Sequence, residues 1–391
     1  MNKFKFGAKL KKKKIFIITG ELSGDLHASC VVKELKKLND RVEIEAIGSD
    51  NLKNQGVKLF EDHKKMSAVG LSFNILFNHI KLGKNLINYL KNDYKPDLVL
   101  LIDYGGFNLN MAKFLKKEEF TIFYYIPPQI WASRSYRINT IKKYVDKVLT
   151  IFPFENEIYE KKGIDVKYTG HPLIYEIPQI DETKEDFFAR HNLEKHKKLV
   201  SIFPGSRKFE LKQLFKIFID AKKIIEESEK GNVQFVLSQA NNIEDKLFNY
   251  YTKKYIKEKD IKIIKGENYH ILKYSDALML ASGTVALEAA LYKTPFLVAY
   301  RGPWLFYLIY LFVRSIKMVS LPNIILNKRI IKEMIQNKCN KKQIANEILK
   351  ILNDNNYREH MIYDLNQVKD MLSHRNSSYE AAKCIYETLY P

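Results

Sequence analysis

Residues 13–38 read KKIFIITGELSGDLHASCVVKELKKL and set the architecture of the chain. The apolar run at 15–18 is typical of a buried strand, and the amphipathic segment after it is typical of a helix. The motif GELSGD at 20–25 lies between them, where its glycines permit a tight turn. Backbone N–H groups at such a helix start can bind an anion or a hydroxyl, and the alternative is a purely structural turn. The GxGxxG spacing of a dinucleotide fingerprint is missing.

The alternation of strand and helix patterns continues along the chain and predicts an α/β protein with parallel sheets. Because 391 residues exceed what one hydrophobic core usually serves, two domains are expected. The predicted strands are 14–19, 42–47, 98–102, 120–126 and 147–152 in a first series, then 198–203, 233–238, 261–265, 276–281 and 295–299 in a second.

The expected domains are two doubly wound, Rossmann-like domains that face each other across a cleft. The first covers 1–174, and the second covers 198–365 after a polar linker at 175–197. Residues 366–391 are predicted to form a C-terminal helix that packs back on the first domain. Ligands bind beyond the carboxyl ends of strands in such sheets, so motifs that follow strands carry the most functional weight.

The chain is strongly basic, because 65 Lys and Arg against 45 Asp and Glu give a net charge of +20. This charge favours an anionic lipid surface, a phosphorylated substrate or nucleic acid as partner. The sequence has no zinc-finger spacing or RNP-type motif, which argues against nucleic acid. Cys30, Cys339 and Cys384 stand alone, as expected in a reduced compartment. The basic start leads into the first strand and is not interpreted as a signal peptide.

A second motif, LVLLIDYGGFN at 98–108, ends an apolar strand on Asp103. Partial desolvation at the end of a buried strand raises the pKa of a carboxyl group and suits it to accept a proton from an alcohol. The alternative role for Asp103 is a helix N-cap or a loop hydrogen-bond acceptor.

Two further motifs follow strands of the second series. FPGSR at 203–207 places the forked donors and fixed charge of Arg207 near a helix start, where phosphate oxygens bind well. ASGTVALEAAL at 281–291 offers hydroxyl groups for phosphates, and Glu288, one turn beyond Thr284, suits a ribose diol. The alternative is an ordinary N-cap with a solvated Glu288.

The stretch GPWLFYLIYLFV at 302–313 is strongly apolar and lies between Arg301 and Arg314. It is too short to cross a bilayer, because a spanning helix needs roughly 20 residues. Its aromatic side chains and basic flanks favour insertion into a bilayer interface or an acyl-chain groove, and a buried core helix is the alternative. The predicted membrane or acyl-chain contacts are Trp304, Leu305 and Phe306.

Taken together, the motifs resemble the lipid-A-disaccharide synthase family, glycosyltransferases of the GT-B fold. The matching segments are GELSGD, DYGGFN, YYIPPQIWAS at 124–133, FPFENEIYEKKGIDVKYTGHPL at 152–173, FPGSR, ASGTVALE, PFLVAYR at 295–301 and SLPNIIL at 320–326. They span about residues 15 to 330, and their joint occurrence by chance is improbable even though each segment is short.

The resemblance implies transfer of a diacylated glucosamine from UDP to lipid X, a diacylglucosamine 1-phosphate, with inversion. It implies that Asp103 and Arg207 are functional residues and that Ser282, Gly283, Thr284, Glu288 and Asn323 hold the nucleotide sugar. Inversion needs a base for the acceptor hydroxyl, and Asp103 is the predicted base, with Asp25 as second choice. Gly205 and Ser206 are predicted on the donor side, and Glu21, Ser23, Gly24 and Asp25 on the acceptor side.

No two aspartates are separated by a single residue, so the Asp-x-Asp metal site of many transferases is missing and no cofactor or metal is expected. The expected location is cytoplasmic, peripheral on the inner face of the inner membrane of a Gram-negative bacterium. An anionic membrane surface is therefore a predicted partner, and a homodimer is left open.

Some positions depart from the family pattern: Gly105 replaces a usual Pro, Pro127 a usual Ser, and Ser133 a usual Trp. His171 is expected to close a turn, and Trp131 is expected in the core. The alternatives for function are another UDP-sugar-dependent GT-B transferase, a sugar-nucleotide epimerase, or a non-catalytic basic protein that docks on membranes.

Overall fold

The computed structural model describes residues 12–62, 73–132, 134–256, 261–302 and 318–391, with backbone alone for 73–80 and 373. The chain forms two compact units. The first ends at Pro172 and takes in Arg375–Pro391, and the second is Leu173–His374. Residues 175–197, where the sequence predicts a linker, belong to the second unit and carry two short helices.

The first unit is a parallel sheet with helices between its strands. Its strands are β1 (Lys14–Ile18), β2 (Glu43–Gly48), β3 (Lys58–Asp62), β4 (Leu98–Ile102), β5 (Ile122–Tyr125), β6 (Lys147–Thr150) and β7 (Val166–Tyr168). Its helices are α1 (Leu22–Leu38), α2 (Asp50–Asn54), α3 (Phe73–Tyr89, followed by a π-helical turn at Leu90–Tyr94), α4 (Gly105–Lys117), α5 (Arg137–Tyr144) and α6 (Pro153–Glu160). A helix near the C-terminus, introduced below, completes it.

The second unit repeats this plan. Its helices α7 (Leu173–Glu176) and α8 (Lys184–Arg190) precede β8 (Lys198–Phe203), α9 (Lys208–Glu229), β9 (Val233–Gln239), α10 (Asp245–Tyr255), β10 (Lys262–Lys265), α11 (Asn268–Tyr274), β11 (Ala277–Ala281), α12 (Val285–Leu291) and β12 (Phe296–Tyr300). After residue 317 come α13 (Leu321–Ile325), β13 (Glu333–Ile335), a 3-10 turn at Gln336–Lys338, α14 (Lys341–Asn353) and α15 (Asn355–Ser373).

The strand order places a topological switch point in each sheet. The first sheet runs β3-β2-β1-β4-β5-β6-β7, and the second runs β10-β9-β8-β11-β12-β13. The order therefore reverses between β1 and β4, and again between β8 and β11. Ligands bind in parallel sheets where the order reverses, and all four motifs follow one of these four strands.

All ten predicted strands are confirmed within a few residues. The strands β3, β7 and β13 were not predicted from the sequence, and each of them is an edge strand. An edge strand is covered less completely than a central one, so it does not need the continuous apolar run of a buried parallel strand. The strand β3, for example, reads KLFED and is at most half-buried.

The C-terminal helix α16 (Ser377–Leu389) packs against α1 and completes the first unit. Its first residue, Ser377, is buried and shares hydrogen bonds with the hydroxyls of Tyr125, at 2.6 Å, and Thr169, at 3.2 Å. Part of the segment predicted as one helix at 366–391 belongs instead to α15 of the second unit.

None of the described helices is both long and apolar enough to cross a membrane. The apolar stretch is outside the described residues from position 303 onward, and with it Trp304, Leu305 and Phe306. Ser133 is outside them as well.

Candidate active site

Asp103 follows β4 at the switch point of the first unit in a strained backbone conformation. Its φ is +48°, and that of Tyr104 is +47°, a region that residues other than glycine rarely adopt. The Asp103 carbonyl accepts hydrogen bonds from the Tyr124 hydroxyl at 2.8 Å and from Asn108 Nδ2 at 2.9 Å. These bonds hold the strained turn, as is common where backbone strain positions a functional group.

The Asp103 carboxyl group lies in a partly desolvated position. Burial raises its pKa above the ordinary value, and the Tyr104 backbone N–H and the charge of His27 oppose this shift less strongly. A carboxylate with a raised pKa is a better proton acceptor, as the sequence predicted. His27, on α1, was not among the predicted site residues, because a lone histidine in an amphipathic helix carries no motif signal.

The loop GELSGD approaches the loop after β4 closely. A Cβ atom built on Gly20 would lie 2.1 Å from the Tyr104 ring, so this position accepts only glycine with Tyr104 in its present place. A Cβ atom on Gly105 would lie 2.4 Å from Pro128, so this position has no room for a side chain with Pro128 where it is.

The predicted acceptor-side residues divide into two kinds. Glu21 and Ser23 are exposed, whereas Gly24 and Asp25 are buried. The Asp25 carboxylate accepts hydrogen bonds from the backbone N–H groups of Ser49 at 2.6 Å and Asn51 at 2.9 Å. Asp25 thus ties α1 to the start of α2, and its contacts do not support the second-choice role as base.

A buried cluster joins the loop that follows β5 to the start of α6. Trp131 donates its indole N–H to Glu155 at 2.9 Å, and Glu155 also accepts from the Phe152 N–H at 3.2 Å. Burial raises the pKa of Glu155 to about 7. His171 packs on the Phe152 ring, and burial lowers its pKa to about 3, with a smaller effect from His27. The prediction that Trp131 is a core residue is confirmed.

A large cavity of about 890 Å³ lies between α3 and α4 in the first unit. Its lining is mostly apolar and includes Ile87, Phe107, Met111 and Phe114, with Lys84 and Lys91 as the basic members. Tyr104 and Gly106 also line it, so the cavity begins beside the residue that follows Asp103.

In the second unit, the motifs after β8 and β11 form one pocket of about 330 Å³. The predicted residues that line it are Gly205, Ser206, Arg207, Ser282, Gly283, Thr284 and Glu288. Sequence positions more than 70 residues apart thus meet because β8 and β11 are neighbours in the sheet.

Arg207 presents its side chain to this pocket with 81% of it exposed. Its neighbour Glu210 accepts the backbone N–H groups of Ser206 at 2.8 Å and Arg207 at 3.2 Å. The chain's own carboxylate therefore occupies the amides at the start of α9, which the sequence had offered to an anion. Gly205, at φ +115°, leaves the room that Glu210 needs, since a Cβ there would lie 2.4 Å from it.

Glu288 and Glu210 are the two acidic residues that line the pocket, and Glu210 is engaged by backbone N–H groups. Burial raises the pKa of Glu288 to about 6, so it is mostly ionised at neutral pH and can accept hydrogen bonds. Gly283 and Thr284 of the ASGT turn are exposed and line the same pocket.

Ser238 and Asn268 also line the pocket and were missed from the sequence. They follow the pattern of the other motifs, because Ser238 lies near the carboxyl end of β9 and Asn268 comes shortly after β10. That position was the only signal that could have found them, since neither belongs to a recognisable motif.

Asn323 is not among the residues that line the pocket. Its side chain is buried, donates to the Ile331 carbonyl and Glu333, each at 2.9 Å, and accepts from the Ile330 and Ile331 N–H groups. The prediction that Asn323 binds the nucleotide is therefore not supported by its contacts, which hold the turn after α13 together.

Two parallel α/β units, each with its functional motifs at a switch point, define a protein of the GT-B class. Solved structures of both epimerases and transferases share this fold. The UDP-GlcNAc 2-epimerase from Neisseria meningitidis bound to UDP-GlcNAc has a TM-score of 0.61 and 15% identity, with 96% of this chain and 99% of that chain covered. The glycotransferase of kitacinnamycin has a TM-score of 0.66 and 11% identity, with 97% and 100% covered.

Sequence comparison decides the family within this class. The profile of the lipid-A-disaccharide synthetase family matches residues 15–389. The lipid-A-disaccharide synthase of Coxiella burnetii is 33% identical over 385 residues, which is 97% of this chain and 100% of that protein. The chain belongs to the lipid-A-disaccharide synthetase family, and it is a glycosyltransferase of lipid A biosynthesis.

Proposed function

We propose that the chain transfers 2,3-diacylglucosamine from UDP to the 6-hydroxyl group of 2,3-diacylglucosamine 1-phosphate (lipid X). The products are the β-1,6-linked lipid A disaccharide 1-phosphate and UDP. Membership in the family supports this pair of substrates. Likeness to epimerases is confined to the fold, at 15% identity, and gives that alternative no support.

The observation that carries the proposal is the shared pocket of the second unit, which suits the parts of a UDP-sugar. The exposed guanidinium group of Arg207 suits the diphosphate, with Ser206 and the hydroxyls of Ser282 and Thr284 as further donors. The Glu288 carboxylate suits the two hydroxyls of the ribose.

Asp103 acts as the general base in this proposal. Its carboxylate takes the proton from the acceptor 6-hydroxyl while that oxygen forms a bond to the anomeric carbon of the donor sugar. The bond from this carbon to the diphosphate oxygen breaks on the opposite side, which inverts the configuration. UDP leaves with the electron pair of the broken bond.

Arg207 stabilises the negative charge that develops on the leaving diphosphate. Because Glu210 occupies the neighbouring backbone amides, this stabilisation falls to the guanidinium side chain. The guanidinium group keeps its charge throughout the reaction, so it can act on the diphosphate as negative charge develops in the transition state.

The acyl chains of the acceptor suit the 890 Å³ cavity of the first unit. The apolar side chains of Ile87, Phe107 and Met111 match hydrocarbon, while Lys84 matches a phosphate group. The exposed Glu21 and Ser23 remain for the sugar of the acceptor.

Acylated substrates place the reaction at a lipid surface. The net charge of +20 supports peripheral binding to anionic lipid on the inner face of the inner membrane. The stretch at 302–313 is the predicted interfacial segment, and a homodimer stays a prediction.

A product analysis tests the reaction directly. The purified chain is incubated with the UDP-diacylglucosamine donor alone and with donor plus lipid X, and the products are identified by mass spectrometry. We expect the disaccharide 1-phosphate and UDP only when both substrates are present. Conversion of the donor to an epimer in the absence of lipid X would contradict the proposal.

A further inference from the structure

Ser238 and Asn268 form a fixed pair in the pocket of the second unit. Ser238 is buried near the end of β9, and its hydroxyl donates a hydrogen bond of 2.7 Å to Asn268 Oδ1. With this oxygen engaged, the group that Asn268 retains for a ligand is its amide nitrogen, which is a donor. Asn268 is the one amide side chain among the described residues that line the pocket.

The backbone before Asn268 is anchored from α8. Arg190 Nη1 donates to Glu267 Oε1 at 2.8 Å, and its Nη2 lies 2.6 Å from Glu267 Oε2. His191 Nε2 lies 3.3 Å from the same carboxylate. Asn268 is therefore held through its side chain by Ser238 and through its neighbour by Arg190, which lowers the cost of ordering it on binding.

We propose that Asn268, oriented by Ser238, reads the base of the nucleotide and selects uracil over cytosine. The inference rests on the proposed function, since that function places a uridine nucleotide in this pocket. Arg207, Ser282 and Thr284 account for the phosphates, and Glu288 accounts for the ribose. The base is the remaining part of the nucleotide, and the Asn268 amide is the remaining side chain suited to it.

The chemistry of the two bases makes the selection. Uracil carries a carbonyl oxygen at the 4-position, and this oxygen accepts a hydrogen bond from Asn268 Nδ2. Cytosine carries an amino group there, so two donors would face each other. Asn268 is half-buried, and a site that offers a hydrogen-bonding group discriminates against a ligand that cannot pair with it.

Binding of UDP and CDP, measured by calorimetry on the full chain, tests the inference. We expect the wild type to prefer UDP by at least about tenfold. In Asn268→Asp an acceptor replaces the donor, so the preference for UDP is lost or reversed. The ratio of the two affinities is the readout, because the added negative charge weakens both diphosphates alike.

Two further variants complete the test. Ser238→Ala removes the hydrogen bond to Asn268 Oδ1, so the Asn268 amide group can flip and present its oxygen to the base. The UDP preference then falls while binding persists. Asn249→Asp makes the same charge change at an exposed position of α10 outside the pocket and leaves the preference unchanged. If Asn268→Asp does not fold, Asn268→Ala replaces it and reduces the preference.

The outcomes separate this inference from the proposed function. A wild type that binds UDP and CDP equally, or a preference that survives in both the Asn268 and Ser238 variants, would overturn the role of Asn268 and leave the transfer reaction standing. A wild type that binds no uridine nucleotide would overturn the proposed function, and the inference with it.

Discussion

Gly20 and Tyr104 lie so close together that a Cβ atom at position 20 would be 2.1 Å from the Tyr104 ring. Gly20 follows β1, and Tyr104 follows both β4 and the proposed base, Asp103. Because Gly20 has no side chain, the ring of Tyr104 can pack against the backbone of the loop GELSGD. This contact couples the loop GELSGD to the strained turn that carries Asp103.

The contact predicts that Gly20→Ala moves Tyr104 and with it Asp103. We expect transfer to fall by about 10²-fold, since small displacements of reacting groups cost this much. We also expect a lower melting temperature. The double variant Gly20→Ala/Tyr104→Ala is the control, because removing the ring removes the obstacle. Adding Gly20→Ala to Tyr104→Ala should then cost no further stability, and an equal loss in both backgrounds would refute the coupling.

Asp103→Asn removes the proposed base and keeps the shape of the side chain. We expect transfer to fall by about 10²–10⁴-fold while UDP binding is unchanged, because the proposed nucleotide pocket belongs to the second unit. Initial rates and calorimetry with UDP measure the two effects. Asp93→Asn, an exposed position before β4, is the matched control and should retain activity. More than a tenth of wild-type activity in Asp103→Asn would remove this residue from the role.

His27 is predicted to tune Asp103 and not merely to fill space. Burial raises the Asp103 pKa, and the charge of His27 partly opposes this rise. Activity requires the ionised Asp103, so kcat/KM falls on the acid side as the carboxylate takes a proton. His27→Gln removes the opposing charge, so the Asp103 pKa rises further and the acid limb moves to higher pH. A lower rate with an unmoved acid limb would show a purely structural role.

Arg207→Ala is predicted to weaken UDP binding roughly ten- to a hundredfold, because it removes charge-assisted hydrogen bonds to the diphosphate. Lys208→Ala removes the same charge from the next, exposed residue and should bind UDP as the wild type does, since Lys208 does not line the pocket. Glu288→Ala should weaken UDP binding as well, through the loss of the ribose contact. Unchanged affinity in both Arg207→Ala and Glu288→Ala would mean that the nucleotide binds elsewhere.

The apolar stretch yields a prediction about the membrane. Replacing Trp304, Leu305 and Phe306 with serine should reduce association with anionic vesicles and slow transfer to lipid-embedded acceptor. The melting temperature should be largely unchanged. Each replacement removes roughly 2 kcal/mol of transfer into lipid. In a folded core the same change would cost about 2–5 kcal/mol per residue and unfold the chain.

Vesicle binding should also weaken as salt rises, because Arg301, Arg314 and Lys317 flank the stretch. The control for loss of surface aromatic side chains replaces the exposed Tyr175, Tyr250 and Tyr363 with serine. It should leave vesicle binding unchanged. Two results together would contradict the interfacial role: a much lower melting temperature in the triple variant, and no vesicle binding by the wild type at low salt. They would indicate that the stretch is a buried core segment.

Local patterns in the sequence were enough for the parallel α/β plan, the ten predicted strands and most of the residues that line the pocket of the second unit. Each of these features depends on a signal within a few residues: an apolar run marks a buried strand, and a polar motif directly after it marks a candidate ligand site. Arg207, Thr284 and Glu288 could therefore be predicted together, although the sequence could not say that their loops meet.

Only the tertiary structure decided which polar side chains remain available to a ligand. Asp25 and Asn323 read as site residues but are engaged by backbone groups from other parts of the chain, and Glu210 takes the amides at the start of α9. His27 and Asn268 read as ordinary residues, but the charge of His27 acts on Asp103, and Asn268 lines the pocket of the second unit. Hydrogen-bond partners and burial depend on residues distant in sequence, so no local pattern contains them.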